Sequence, residues 1–179
     1  MFNLGDCQLK FQNVLFPEHV GFECKGCGRC CKEQPADLTA EEIQRLQEKG
    51  YADFLDETDL SEPRLIRRKN FGGCFFLSST SGCEIQDLKP AICRIVPFVV
   101  IDWDYVTDLI EVDLPADCDC PGICIGEQLP IETIGKAAQI YVHDLQSSVA
   151  KKEKLPPNDP KVLSKTRQLI IKLATDYSE

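Results

Sequence analysis

Residues 24–31 read CKGCGRCC, and residues 71–98 read FGGCFFLSSTSGCEIQDLKPAICRIVPF. Seven of the eleven cysteines in this 179-residue chain lie in these two stretches. Thiolates bind soft and borderline metals well, and four of them are the usual ligand set for one zinc ion or one iron–sulfur cluster. The two stretches therefore predict a small domain that is organised around a cysteine site.

The first stretch has the C-x2-C-x2-C spacing of a ferredoxin-type cubane at Cys24, Cys27 and Cys30. In that type of site a fourth cysteine, followed by proline, completes the ligand set. Cys120 precedes a proline here. The spacing thus predicts a [4Fe-4S] cluster held by Cys24, Cys27, Cys30 and Cys120, with Zn²⁺ as the alternative occupant.

Cys31 follows Cys30 directly, and neighbouring side chains are expected to diverge. We therefore expect Cys31 to serve a different centre from Cys30, together with the cysteines of the second stretch. Spacing alone leaves two arrangements open: two four-sulfur centres, or one polynuclear centre. The predicted metal ligands are Cys24, Cys27, Cys30, Cys31, Cys74, Cys83, Cys93 and Cys120.

The cysteine usage favours reduced thiols over disulfides. The count of eleven is odd, and the cysteine fraction is below the roughly 8–10% of small disulfide scaffolds. The first residues lack the basic region followed by an apolar region that marks a secretion signal. We therefore expect a cytoplasmic protein whose thiols are kept for metal or redox chemistry.

The charge balance restricts the partners. The chain has 29 acidic and 20 basic residues, a net charge of −9. This field repels nucleic-acid phosphates and anionic lipids, and no apolar run approaches the roughly 20 residues needed to span a bilayer. We expect no nucleic acid and no membrane, but a protein partner in a redox or assembly complex.

Helix signals are clearest in three places. Thr39 with Glu42 forms a capping box, which predicts a helix over residues 39–49. Apolar residues at helical spacing predict a second helix over residues 131–149. Pro160 suits the first turn of a last helix, after a charged linker over residues 151–159.

Strand signals lie between the helices. Residues 75–77 predict a short strand, and residues 99–103 and 105–114 predict a hairpin because they are β-branched and aromatic. The fold prediction is a small α+β domain, with short strands and loops around the metal site, packed by two or three helices. We expect residues 1–150 to form that domain and residues 151–179 to form a linker and C-terminal helix.

Catalytic motifs are missing from the sequence. It contains no G-x-G-x-x-G, no phosphate loop, no G-x-S-x-G and no H-E-x-x-H, and neither of its two histidines lies within the cysteine stretches. No catalytic residue is predicted, and whether the protein is an enzyme stays open.

CKGCGRCC, followed by residues 72–98 and then CPGI, resembles the CxxCxxCC proteins of YkgJ type, a family described as a zinc- or iron-chelating domain. The resemblance covers residues 24–126. Lys89 stands where the family pattern has arginine, and Gln86 where it has tyrosine. The resemblance implies that the eight cysteines above are ligands, with Cys118 and Cys124 as extra thiols.

Three functions are compatible with these features. The first is an iron–sulfur protein that transfers electrons to or from a partner, since family members are often labelled iron–sulfur oxidoreductases. The second is a zinc-stabilised interaction module whose thiolates hold loops together. The third is an enzyme or metal-delivery factor that docks through residues 64–69 or its C-terminal helices, since the module also occurs in a flagellin lysine N-methylase.

Overall fold

The computed structural model describes residues 9–34, 36–56, 64–69, 72–79, 82–125 and 128–176. Within them the chain forms five α-helices, one 3₁₀ helix and six strands, so the predicted α+β class is confirmed. The chain divides into two compact units. The sheet unit comprises Met1–Glu23 with Pro97–Glu179, and the cysteine unit comprises Cys24–Val96. The predicted boundary at residue 150 stays a prediction.

The sheet unit contains two β-sheets. Its strands are β1 (Leu9–Phe11), β2 (Val14–Phe16), β3 (Val20–Phe22), β4 (Val99–Asp104), β5 (Leu109–Asp113) and β6 (Ile123–Ile125). The larger sheet has the order β1-β2-β5-β4, in which β2 and β5 run parallel and the other neighbours antiparallel. The smaller sheet pairs β3 with β6 in antiparallel register.

The β4–β5 hairpin is confirmed, but its second strand begins later than predicted. Residues 105–108 form the turn. The Asp104 carboxylate accepts hydrogen bonds from the Val106 amide (2.9 Å) and the Thr107 hydroxyl (2.7 Å). Because an aspartate side chain can satisfy turn amides in this way, it competes with the strand ladder and ends it.

Two helices complete the sheet unit: α4 (Ile131–Glu153) and α5 (Pro160–Asp176). α5 packs on β4 and α4 packs on α5. α4 continues to Glu153, beyond its predicted end, and Glu153 forms ion pairs with Lys161 and Lys165 of α5. The predicted start of α5 at Pro160 is confirmed. No helix among the described residues is long and apolar enough to cross a membrane.

A bidentate ion pair joins α5 to β4. The Arg167 guanidinium donates to both carboxylate oxygens of Asp102, at 2.8 and 2.7 Å, and these hydrogen bonds lower the pKa of Asp102. The pair therefore contributes stability above the carboxyl's unfolded-state pKa, and that contribution is lost as the pH falls through the lower folded-state pKa.

We expect Asp102→Asn to lower the free energy of unfolding at pH 7 by about 1 kcal/mol, because the pair is partly exposed and screened by solvent. Urea unfolding at pH 7 and at acid pH measures the effect, with the exposed Asp113→Asn on β5 as the control. The difference in unfolding free energy between wild type and Asp102→Asn should become smaller at acid pH. A gap that stays constant with pH would contradict the assignment.

The cysteine unit is built from short elements. They are α1 (Arg29–Glu33), α2 (Ala40–Glu48), a 3₁₀ helix (Gln86–Leu88) and α3 (Ala91–Ile95). The prediction of a strand at residues 75–77 is wrong. The Leu77 amide donates to the Cys74 carbonyl (3.0 Å), which closes a turn. Of residues 75–77, Leu77 is the one that forms a β-bridge, and its partner is Cys83.

An aromatic core supports this unit. Phe76 is 1% exposed, and its ring contacts those of Tyr51, Phe54 and Phe75 at centroid distances of 5.3, 5.6 and 5.1 Å. The remaining buried members of the cluster are Ala36, Leu38, Leu46, Ile66 and Ile85. Partly buried Cys74, Cys83 and Cys93 pack against this cluster, so the apolar core and the cysteine site are continuous.

Candidate metal centre

Five of the predicted ligands line a single cavity of about 40 Å³ in the cysteine unit: Cys30, Cys31, Cys74, Cys83 and Cys93. Most of the other wall residues are apolar: Ala36, Ile66, Phe76, Ile85, Pro90, Ile92 and Val96. All ten cysteines in the described part of the chain are free thiols. The fold thus gathers thiols from distant parts of the sequence around one cavity with mostly apolar walls.

Helix α1 brings two of these thiols to the cavity. Gly28 precedes the helix in the left-handed conformation (φ 74°), and its carbonyl accepts from the Lys32 amide. The side chains of Cys30 and Cys31 do not diverge as expected, but which centre each of them serves stays a prediction. Both line the same cavity, and the Cys31 thiol is hydrogen-bonded to Cys30. Successive helical residues are only about 100° apart, so their sulfurs can meet on one side of the helix.

Backbone contacts bring the second stretch to α1. The Cys74 amide donates to the Cys31 carbonyl at 2.6 Å. Cys83 is held opposite Leu77 by a bridge, and the Ser78 amide donates to the Gly82 carbonyl at 2.7 Å. The first bond fixes the turn that carries Cys74 relative to the CKGCGRCC segment, and the other two place Cys83 relative to that turn.

Gly82 also packs closely against that segment. Its φ is +77°, and a Cβ added there would stand 2.8 Å from the Gly26 carbonyl oxygen. We expect Gly82→Ala to cost about 2–3 kcal/mol of unfolding free energy, because left-handed strain adds to a backbone clash. Gly72→Ala is the matched control, since Gly72 has φ +79° with nothing within 4 Å of the added Cβ. Equal losses in chemical denaturation would show that the close approach has no effect.

Helix α3 carries Cys93, and a buried carboxylate fixes the start of this helix. The capping box predicted for α2 is confirmed, with Glu42 accepting from the Thr39 amide at 2.9 Å. The other carboxylate oxygen of Glu42 accepts from the Ala91 amide at 2.6 Å. Glu42 is 6% exposed, so one buried side chain caps two helices and sets the position of Cys93.

Backbone amides face the sulfur atoms of Cys74 and Cys83. The Phe76 amide is hydrogen-bonded to Cys74, and the Ile85 amide to Cys83. Burial raises the pKa of both thiols, and these amides oppose the rise because they stabilise the thiolate. Amides aimed at sulfur are suited to a thiolate that holds a metal.

The remaining cavity thiols have strongly perturbed pKa values. The hydrogen bond from Cys31 lowers the pKa of Cys30 to about 6 against the effect of burial, and the Lys89 ammonium adds to the lowering. Donating that bond, together with burial, raises the pKa of Cys31. Burial raises the pKa of Cys93 to about 12. Most of these sulfurs therefore need a cation if they are to carry charge.

The other predicted ligands are placed differently. Cys24 and Cys27 are exposed and do not line the cavity, although the Lys89 ammonium is 3.7 Å from the Cys24 sulfur. Cys120 is half-buried and belongs to the sheet unit, as do Cys118 and Cys124. Its assignment as the fourth ligand of a cubane stays a prediction.

The donor set of the cavity fits a soft metal. Among the described residues that line it, five offer sulfur and none is a histidine, aspartate or glutamate. Sulfur donors select zinc, copper(I) and iron–sulfur clusters, whereas magnesium and calcium require oxygen. As they stand, no three Cys, His, Asp or Glu side chains of the described ranges are gathered closely enough to hold an ion. The thiols share a cavity without a finished coordination shell.

Sequence reasoning missed two residues of the site. Lys89 lines the cavity, and its signal was the Lys-Pro pair beside the cysteines. Glu42 was recognised as the cap of α2, but its bond to Ala91 spans 49 positions, and local sequence patterns carry no such information.

Comparison with known proteins adds the family. The family model CxxCxxCC, described as a "putative zinc- or iron-chelating domain", matches residues 23–119, more than half of the chain. The match spans all five cavity cysteines. No match was found among curated proteins or among solved structures.

Proposed function

The chain belongs to the CxxCxxCC family, and from that membership we propose that its cysteine unit holds an iron–sulfur centre of [4Fe-4S] type and transfers electrons to or from a protein partner. The observation that carries the proposal is the convergence of five thiols on one apolar-walled cavity. A structural zinc ion takes four ligands, and five cavity thiols with two exposed ones exceed that need. Such a surplus favours a polynuclear centre.

The ligands would come first from the cavity: Cys30, Cys31, Cys74, Cys83 and Cys93. Cys24, Cys27 and Cys120 remain the further candidates that the C-x2-C-x2-C spacing and the Cys-Pro pair predict. A bound cluster supplies one-electron redox chemistry. We assign no catalytic residue.

The residues around the thiols support an electron-transfer role. Mostly apolar walls surround the half-buried sulfurs, and the Phe76 and Ile85 amides donate toward Cys74 and Cys83. Burial and hydrogen bonds to sulfur are two of the means by which a protein tunes the reduction potential of a cluster. The chain thus provides the surroundings of a tuned redox site.

The charge distribution favours a partner whose basic surface binds the acidic sheet unit. Residues 24–96 carry 11 basic and 12 acidic residues, so most of the net charge of −9 belongs to the rest of the chain. An acidic surface steers a basic protein and repels nucleic acid and anionic membranes. We propose that the protein works in the cytoplasm, where its free thiols stay reduced.

Zinc is the second candidate, and the size of the cavity favours it. A volume of about 40 Å³ is about three times the roughly 10–15 Å³ that one water needs. A single ion fits that space more readily than a cluster of eight atoms. In this case the thiolates stabilise the unit as a binding module.

Metal analysis of protein purified without oxygen tests the proposal. We expect iron and sulfide at about four each per cluster, with a broad visible absorbance that bleaches on dithionite reduction. Cys93→Ala should lose most of the iron, whereas Cys118→Ala, in the sheet unit, should keep it. Bound zinc with a featureless visible spectrum would contradict electron transfer and support the zinc-stabilised binding module. A chain that takes up neither metal would refute both.

A further inference from the structure

A lysine stands among the thiols. Lys89 lines the cavity with the five cysteines, and its Nζ lies 3.7 Å from the Sγ of Cys24. Among the described residues that line the cavity, Lys89 has the one charged side chain. The residue as a whole is half-buried, and its contact with the Cys24 sulfur is exposed to solvent.

The backbone holds Lys89 in this place. It follows the 3₁₀ helix Gln86–Leu88 and precedes buried Pro90, which favours the extended conformation observed (φ −46°, ψ 133°). The Arg94 side chain donates to the Lys89 carbonyl at 2.8 Å. The start of the lysine side chain is thus fixed by contacts that do not involve any cysteine.

A thiolate centre in this cavity needs a counter-charge. Four thiolates outweigh the charge of a divalent ion, and uncompensated negative charge among apolar walls is costly. An ammonium within a few ångströms removes part of that cost. Its influence already reaches the cavity thiols, since Lys89 is among the causes that lower the pKa of Cys30.

We propose that Lys89 is a positioning residue whose ammonium compensates the thiolate charge of the metal centre and holds the Cys24 sulfur beside the cavity. The inference rests on the proposed metal binding and applies to either metal. It also gives exposed Cys24 a connection to the site that the cavity walls alone do not provide.

Zinc affinity of the reduced protein tests this role. Competition of Zn²⁺ with a chromophoric chelator is measured for wild type, Lys89→Met, Lys89→Arg and Lys49→Met, at low and high potassium chloride. Lys89→Met keeps the length of the side chain without its charge. Lys89→Arg keeps the charge and introduces the arginine that the family pattern has at this position. Lys49, exposed at the end of α2, is the control for loss of one positive charge from the unit.

We expect Lys89→Met to bind zinc about tenfold more weakly at low salt, and high salt to reduce this difference because it screens charge. Lys89→Arg and Lys49→Met should stay within about twofold of wild type. Thermal unfolding of the metal-free variants should match wild type, which separates charge compensation from a folding defect.

Three results would overturn the inference. Lys89→Met could bind zinc as tightly as wild type, or Lys89→Arg could lose as much affinity as Lys89→Met. The loss could also be the same at both salt concentrations, which would indicate packing instead of charge. In each case, zinc binding by the wild-type protein would still support the proposed metal centre. If the wild-type chain takes up no metal at all, the metal centre and this inference both fail.

Discussion

Metal loading of the reduced, metal-free protein is expected to raise the free energy of unfolding of the cysteine unit by about 4 kcal/mol when free metal is 1,000-fold above its dissociation constant. The reason is that the ligands come from α1, α3 and the turn and bridge between them, which meet only in the folded chain. Binding free energy at such a site is folding free energy.

Hydrogen exchange with and without metal measures this effect, because it resolves the two units. Protection should rise for residues 24–56 and 64–96, with the largest change near Cys74 and Cys93. Cys93→Ala should respond far less to metal, and Cys118→Ala should respond as wild type. Equal stabilisation of wild type and Cys93→Ala would show that the metal binds outside the cavity.

Glu42→Ala is expected to cost about 3–4 kcal/mol of unfolding free energy. The substitution removes two charge-assisted hydrogen bonds and leaves the Thr39 and Ala91 amides without their acceptor. Each bond of this kind contributes about 1.5–3 kcal/mol. Water cannot readily replace the lost acceptor, because Glu42 is only 6% exposed. The loss should therefore exceed that of an ordinary helix cap, which is about 1 kcal/mol.

Urea denaturation of metal-free protein checks the value, with two comparisons. Glu42→Gln keeps one acceptor oxygen but presents an amide group to one of the two donors, so an intermediate loss is expected. Glu41→Ala removes an exposed neighbour in the same first turn and should cost under 1 kcal/mol. If Glu42→Ala were no worse than Glu41→Ala, the connection between α2 and α3 would contribute nothing.

The same substitution connects folding to the site. The bond from Ala91 to Glu42 sets the start of α3, and Cys93 lies two residues further along that helix. We therefore expect Glu42→Ala to weaken metal binding even under conditions where most of the protein is folded. Glu42 would thus affect metal binding although it neither lines the cavity nor offers a sulfur ligand.

Local sequence signals determined the elements that depend on near neighbours. The Thr39–Glu42 capping box gave α2, the β-branched residues gave the β4–β5 hairpin, and Pro160 gave the start of α5. These patterns are reliable because the stabilising contacts lie within a few positions of each other. The cysteine spacing likewise identified a site for a soft metal.

Tertiary structure alone decided which thiols share the cavity. Cys30 and Cys31 meet through the local geometry of α1, but Cys74 joins them through a backbone bond to Cys31 across 43 positions. Lys89 and Glu42 acquire their roles through contacts that are equally remote in sequence. Spacing shows that a segment can supply ligands, but which turns meet depends on how the Phe76 core packs, and that is a property of the whole unit.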